Sequence, residues 1–318
     1  MENASLPRVV ALGGGHGLAA TLSALRTLPV DITAVVGVSD NGGSSGRLRT
    51  DFDVIPPGDL RMALTALCGE DEWGSLWARV LQHRFPGEGQ LAGHSVGNLL
   101  ITALWQQTDD IVAGLDAVSN LLGAHGRVLP LSLQPLDIAA VVLDPNGSES
   151  QVLGQVEIAT TSGQVRSIEL HPANAKVCPQ ALTAVEQADV IVMGPGSWFT
   201  SVLTHALLPE MEASLINSGA TKILVSNLCS QNGETQGFSP ARHLLALAEI
   251  SPSLKFDHVI SEVEHYHPDL EHAASQLEAA LYSVPLKQAT DPHQHDSGLL
   301  AQAFDDVLRS VNNYRVGG

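Results

Sequence analysis

The sequence predicts an α/β protein: a Rossmann-like, doubly wound, mainly parallel sheet that carries a helical insertion and a small antiparallel β insertion. Three observations lead there. The chain opens with a short apolar strand, a glycine loop, a helix and a second strand, which is how a doubly wound fold begins. It is 44% hydrophobic but only 4% aromatic, so its core must be Leu, Val, Ile and Ala, a mix that suits parallel strands covered by helices. Three glycine-rich loops, at residues 13–17, 40–49 and 194–201, each follow an apolar strand-like run.

Taken in order, Val9-Val10-Ala11-Leu12 reads as a buried strand. Leu18, Leu22, Leu25 and Leu28 then recur at helical spacing until Pro29 closes the helix. Residues 32–38 form a second strand. Pro56-Pro57-Gly58-Asp59 marks a break, and Asp59 is placed to cap a helix running to Cys68. Further helices are expected at 73–85 and 96–107, so about 58–125 reads as a helical insertion. From Leu129 the texture changes. Alternating or β-branched runs at 131–133, 139–143, 151–158 and 164–170 predict a small antiparallel region over about 129–170, with Asn146-Gly147 as a turn signal. The α/β rhythm returns at Val190-Ile191-Val192-Met193. Strands are expected at 222–225, 258–261 and 284–287, and helices near 240–250, 269–282 and 298–312. No fixed-period repeat or low-complexity linker divides the chain, so its 318 residues read as one domain with insertions.

Charge narrows the partners. A net charge of −18 and a pI near 4.9 repel nucleic-acid phosphates and anionic lipid. A small phosphorylated ligand remains open, because local donors decide that case. Three arginines, Arg47, Arg49 and Arg61, fall within fifteen residues, between the glycine loops. Cys68, Cys178 and Cys229 form no CxxC pair and read as inert thiols of a reducing compartment. The N-terminus lacks a basic and an apolar leader region, and no apolar run approaches ~18 residues. The expectation is a cytoplasmic protein without membrane insertion; a homodimer is compatible with a fold of this size.

The glycine loops carry the chemistry. Gly14, Gly15, His16 and Gly17 open a helix, where unpaired N–H groups and the positive end of the helix dipole favour phosphate. The spacing Gly13-x-Gly15-x-Gly17 is one residue short of the dinucleotide fingerprint. In the second loop, Asp40 sits where Rossmann enzymes hold a ribose hydroxyl, which keeps NAD binding as an alternative. Asn41, Gly43, Ser44, Ser45, Arg47 and Arg49 then add turn-forming backbone, hydroxyls and guanidinium forks suited to phosphate oxygens. A P-loop is excluded: neither of these loops ends in Gly-Lys-Ser/Thr, and none of the four lysines lies near them. The third loop, Gly194, Pro195, Gly196 and Ser197, again precedes a helix. Three such loops converge at one sheet edge, because ligands bind outside the carboxyl ends of parallel strands. Asp59 and Arg61, His94 and Asn98 (four apart on one helix face), and Asn227 past the 222–225 strand are further candidates. His265-Tyr266-His267 and His293-Gln294-His295-Asp296 have metal-like spacing but lack partners, so no metal is expected there.

The succession GGGHGL, SDNGGSSGRLR, PPGDLR, GHSVGN and GPGSWFTS resembles the YvcK-type proteins of the CofD-like family, also called gluconeogenesis-factor proteins. The resemblance runs from residue 9 to about 238, and the GGSSGRLR–PPGDLR pair is its most specific part. It implies a Rossmann-like fold, a cytoplasmic location, binding of UDP-sugars such as UDP-N-acetylglucosamine, and a role in cell shape and wall synthesis during gluconeogenic growth. Proteins of this type have no established reaction. Their CofD cousins are transferases that move a phospholactyl group onto a deazaflavin precursor and release a guanine nucleotide. The segment 42–49 is unlike that branch, so the activity is kept only as an alternative, with Mg²⁺ as its expected ion. Carried residue by residue, the nucleotide phosphates would meet the 14–17 loop. Ser44, Ser45 and the 194–197 loop would close around the ligand, and Asp40, His94, Asn98 and Asn227 would complete the site. The sequence departs from the family in three places. His16 stands where many relatives have Thr. Asn41 replaces the second Asp of a common pair, which weakens a metal role. Gln294 replaces the Arg of an Arg-His-Asp run, leaving Arg47 or Arg49 to supply the charge.

Overall fold

The computed structural model describes residues 6–144, 147–161, 163–231 and 234–316, with side chains through Arg309. Strand β1 (Arg8–Gly13) is buried after its first residue and turns at Gly14 into α1 (Gly15–Leu25), whose Leu18, Leu22 and Leu25 face the core. Strand β2 (Asp31–Val36) pairs parallel with β1. Five helices come before the sheet resumes: α2 (Gly43–Phe52), α3 (Pro57–Ala66), α4 (Glu72–Gln82), α5 (Val96–Thr108) and α6 (Ile111–Leu122). The last three start on side-chain caps, with Asp71, Ser95 and Asp110 each accepting a backbone N–H three residues on.

Strand β3 (Arg127–Pro130) then joins β2 at the sheet edge. The chain leaves the sheet for β4 (Asp137–Leu143), β5 (Glu149–Leu153), α7 (Gln155–Thr160) and β6 (Gln164–His171), where β4 pairs antiparallel with both neighbours. Helix α8 (Pro179–Gln187) returns it to β7 (Val190–Met193), which pairs with the free side of β1. A π-helical turn at Trp198–Val202 precedes α9 (Thr204–Leu207) and α10 (Pro209–Asn217). Then β8 (Thr221–Val225), α11 (Pro240–Ile250), β9 (His258–Glu262), α12 (Pro268–Gln276), β10 (Ala280–Val284) and α13 (Ser297–Val316) complete the fold.

The main sheet has the order β10-β9-β8-β7-β1-β2-β3. Every pair in it is parallel. Counting only these strands along the chain, the order is 3-2-1-4-5-6-7: the Rossmann arrangement with one strand added. The winding reverses between β1 and β7, so the first and third glycine loops meet at the switch point. Among the described residues no helix is long and apolar enough to cross a membrane.

Several boundaries differ from expectation. Residues 43–52 form α2 rather than an open loop. Only Leu48 and the two serines face inward, too little apolar repetition to mark a helix in sequence. Residues 131–133 form no strand; the extended run is 127–130, and it belongs to the main sheet, so the antiparallel unit begins at Asp137. The strand expected over 151–158 stops at Leu153, because Gly154 at φ +106° turns the chain into α7. Helix α12 ends at Gln276, six residues early, with Glu278 at φ +61°. The strand expected at 284–287 is therefore 280–284. Asp59 lies inside the first turn of α3, and Pro56 occupies the cap position. Of the Asn146-Gly147 turn, Asn146 lies outside the described residues. Cys68 and Cys178 are buried and Cys229 is exposed.

Candidate ligand site at the switch point

The glycines show how tightly the loops gather. A methyl group placed on Gly17 would lie 2.2 Å from the Pro195 carbonyl oxygen and 2.4 Å from Gly196 Cα. One on Gly14 would lie 2.5 Å from Asp59 Oδ2 and 3.1 Å from Ser201 Oγ. On Gly58 it would meet Ser45 Oγ at 2.3 Å and Asp40 Oδ2 at 3.1 Å. Residues 14, 17, 40, 45, 58, 59 and 196 thus form one continuous contact path at the carboxyl edge of the sheet. Bare backbone at 17 and 58 is what lets the segments approach so closely.

Within this group the loops differ in what their amides do. Helix α1 starts at Gly15 with no side-chain cap, and α2 starts behind Gly42 with none either. In α1 the Gly15 amide points to the Asp59 carboxyl. The third loop is filled by its own chain. Asn227 accepts from Gly196 N at 2.9 Å and donates to Gly196 O at 2.8 Å. Gln231 Oε1 accepts from Trp198 N at 3.1 Å. Glu234 accepts from Phe199 N at 3.2 Å and from the Thr200 hydroxyl at 2.5 Å.

Asp59 has its pKa pushed up to about 7 by burial first and by the neighbouring Asp40 second; the Gly15 amide and Arg61 pull it back. Asp40 Oδ1 accepts from Gly42 N at 2.8 Å, closing its own turn. If the protein takes a Mg²⁺ ion, Asp40 and Asp59 are the neighbouring carboxyls that would supply oxygen ligands to it. Among the described residues no group of three or more His, Cys, Asp and Glu is placed to hold a metal by itself.

Beside the carboxyls runs a buried polar chain. Arg61, 3% exposed, is lowered to about 10 by burial and by Arg84. Its Nε donates to Asn98 Oδ1 at 2.9 Å, and its Nη1 donates to Gln82. Asn98 Nδ2 donates to Ser44 Oγ at 3.1 Å, and Ser44 Oγ lies 2.9 Å from His94 Nδ1. Burial, then Arg47, holds His94 below the ordinary imidazole range against the pull of Asp51.

Other expected residues are engaged elsewhere. Arg47 donates to the Gln90 and Ala92 carbonyls. Arg49 donates to Leu136 O at 3.1 Å and Asp137 at 2.8 Å. Asn41 donates to Glu157 at 2.8 Å and accepts from Val156 N at 3.0 Å, which ties α7 over the second loop. Sequence reasoning missed Gln231 and Glu234, because nothing local marks a polar side chain as the cap of a distant loop. It also missed a cleft of about 320 Å³ beside the first loop. There His16, Gly17, Ala20 and Ser23 of α1 face Gln294 and His295. The signal was the 293–296 run, which the sequence offers both as a metal spacing and, through Gln294, as a departure from the family's Arg-His-Asp run.

Residues 9–303 match the profile of the family described as 2-phospho-L-lactate transferase CofD. The chain belongs to this family. A Mycobacterium tuberculosis protein bearing the gluconeogenesis-factor name is 46% identical over 310 residues, covering 94% of this chain and 90% of the relative. The gluconeogenesis factor of Listeria monocytogenes is 36% identical over 98% of this chain and 99% of its own. A crystal structure of a UPF0052 family member from Bacillus halodurans superposes with a TM-score of 0.84 at 33% identity, covering 94% of this chain and 98% of the other. Family membership thus agrees with the motif succession, and the doubly wound fold is shared with this solved relative.

Proposed function

We propose that the protein is a regulatory factor that binds a UDP-sugar of the UDP-N-acetylglucosamine type and acts in cell-shape and wall morphogenesis during gluconeogenic growth. The observation that carries the proposal is the convergence at the switch point: α1 and α2 both start without a side-chain cap, and the cleft adjoins the first of them. Orphan amides at a helix start bind anionic oxygens, and a cleft running on along α1 gives the rest of a nucleotide-sugar a place to lie. The gluconeogenesis-factor name of the relatives supports the physiological half. Binding to the folded state alone raises Tm as ligand concentration passes Kd. UDP-N-acetylglucosamine should therefore raise Tm in a saturable way; no shift at millimolar ligand refutes the proposal.

A second reading, transfer of a nucleotide-activated group, is favoured by Asp59. A carboxyl with a pKa of about 7 can exchange a proton with an attacking hydroxyl at neutral pH. Its test is nucleotide release from activated donors with Mg²⁺ and candidate acceptors, lost in Asp59→Asn. Absence of product with every pairing removes this reading.

A further inference from the structure

Helix α4 turns little of its apolar content inward. Gly74 and Leu81 are its buried residues. On the outward side Trp73 is 52% exposed and Leu76 46%, and the half-buried Val80 continues the stripe at spacings of three and four. The Trp73 indole donates Nε1 to the Leu121 carbonyl oxygen at 3.0 Å and lies 5.7 Å from the Trp77 ring, so it is held in place. Leu121 is itself 37% exposed, which extends the apolar surface onto the end of α6. Scattered exposed leucines are ordinary, but a contiguous patch led by a fixed tryptophan marks a contact surface. Charges frame the patch. Glu72 precedes Leu76 by four residues and Arg79 follows it by three, on the same face. They lie about 10 Å apart along the helix, too far to pair with each other. Neither side chain has a hydrogen-bond or ion-pair partner among the described residues.

We infer that this face of α4 docks a second copy of the chain, with the two α4 helices antiparallel about a two-fold axis through Leu76. The charges name the occupant. A partner must offer an apolar centre, a cation opposite Glu72 and an anion opposite Arg79. The same face, turned end for end, offers all three. Leu76 meets the partner's Leu76, the Trp73 ring meets the partner's Arg79, and Glu72 lies within reach of that same guanidinium. Two chains of net charge −18 repel as wholes, but at physiological ionic strength this repulsion is screened beyond about 8 Å. The exposed stripe itself carries one charge of each sign. One helix face and the end of another make a small interface, which sets the expected Kd at about 10 μM. None of these residues lines the cleft beside α1, so the pairing leaves that cleft open to a ligand.

Sedimentation equilibrium of the full chain at physiological salt, over about 1 to 200 μM, reads the association directly. Unfolding curves confirm that each variant is folded. The wild type should pass from the mass of one chain to the mass of two across that range. Leu76→Asp sets two carboxylates against each other on the axis and should weaken association at least about a hundredfold, leaving monomers throughout. The charged pair separates a second copy from any other partner. Glu72→Arg alone brings cation against cation, and Arg79→Glu alone brings anion against anion; each should cost about tenfold in Kd. Glu72→Arg combined with Arg79→Glu restores opposite charges across the axis and should recover most of the loss. A wild type that stays monomeric at about 200 μM overturns the inference and leaves the face to a different protein. So does a folded Leu76→Asp that associates like the wild type, and so does a double reversal no tighter than the single ones.

Discussion

The first and third glycine loops follow neighbouring parallel strands, β1 and β7, and both precede helical turns. As sequence they make the same offer of backbone amides. In the folded chain the third loop spends that offer on itself: Asn227, Gln231 and Glu234 take the amides of Gly196, Trp198 and Phe199. The first loop has no side-chain cap, and its Gly15 amide meets only the Asp59 carboxyl. One loop is closed by several side chains of its own protein, and the other has a single internal contact, to Asp59. The lesson is that a glycine loop after a strand offers an anion only those amides that no internal acceptor has already taken.

The contact between the two loops is the largest thing to break. Gly17→Ala drives a methyl group into the Pro195 carbonyl and Gly196, main-chain atoms that cannot swing away. We expect a loss of about 3 kcal/mol in denaturant unfolding. A loss under about 0.5 kcal/mol would mean that the loops are not packed against each other.

Next comes the carboxyl that guards the open loop. The pKa of Asp59 is raised from its ordinary 3.8 to about 7 in the folded protein. Its contribution to stability is thus full below pH 4 and is lost as pH rises through 7, with a slope of up to about 1.4 kcal/mol per pH unit. Asp59→Asn should match the wild type near pH 4 and exceed it at pH 8. Parallel pH profiles for the two proteins would show that the carboxyl is not held in this way.

The closed loop can be opened. Glu234→Ala strips the acceptor from Phe199 N and the Thr200 hydroxyl, at a cost of about 2 kcal/mol. Added acetate should restore part of the lost Tm by filling the vacated position, whereas in the wild type it should not. If acetate acts equally on both, the third loop is not a filled anion site. Smallest in stability is His16→Glu at the open loop. His16 is exposed at a helix start, so the change should move stability by less than about 1 kcal/mol. It should nevertheless abolish the Tm shift caused by UDP-N-acetylglucosamine, because a carboxylate now faces the diphosphate. A retained shift would place the phosphates elsewhere.

Much of this architecture was legible in the residues. The alternation of apolar strands with helical spacing gave the parallel sheet, and glycine clusters after strands marked the edge where the loops meet. The errors came where local pattern is thin. Helix α2 carries one core leucine, Leu48, and its inward face is otherwise two serines. The 12-residue α6 was passed over inside the helical insertion, although Asp110 caps it and Gly123 at φ +58° ends it. The edge strand β3 is four residues long. At β10, the Ala-rich run 273–281 reads as helix until the sheet edge claims it, through pairing with β9 that lies wholly outside the local sequence.

The amino-acid order determined which segments are stiff, apolar and turned, because propensity, glycine conformation and apolar spacing act over a few residues. It thereby determined the fold class and the family. Tertiary structure alone decided the fate of each polar group. Arg47 and Arg49 went to neighbouring loops, Ser44 was joined to His94 across fifty residues, and Glu234 closed one loop while the other stayed open. Each of those outcomes is a competition among donors and acceptors far apart in the chain, won by whichever group the packed sheet brings within about 3 Å.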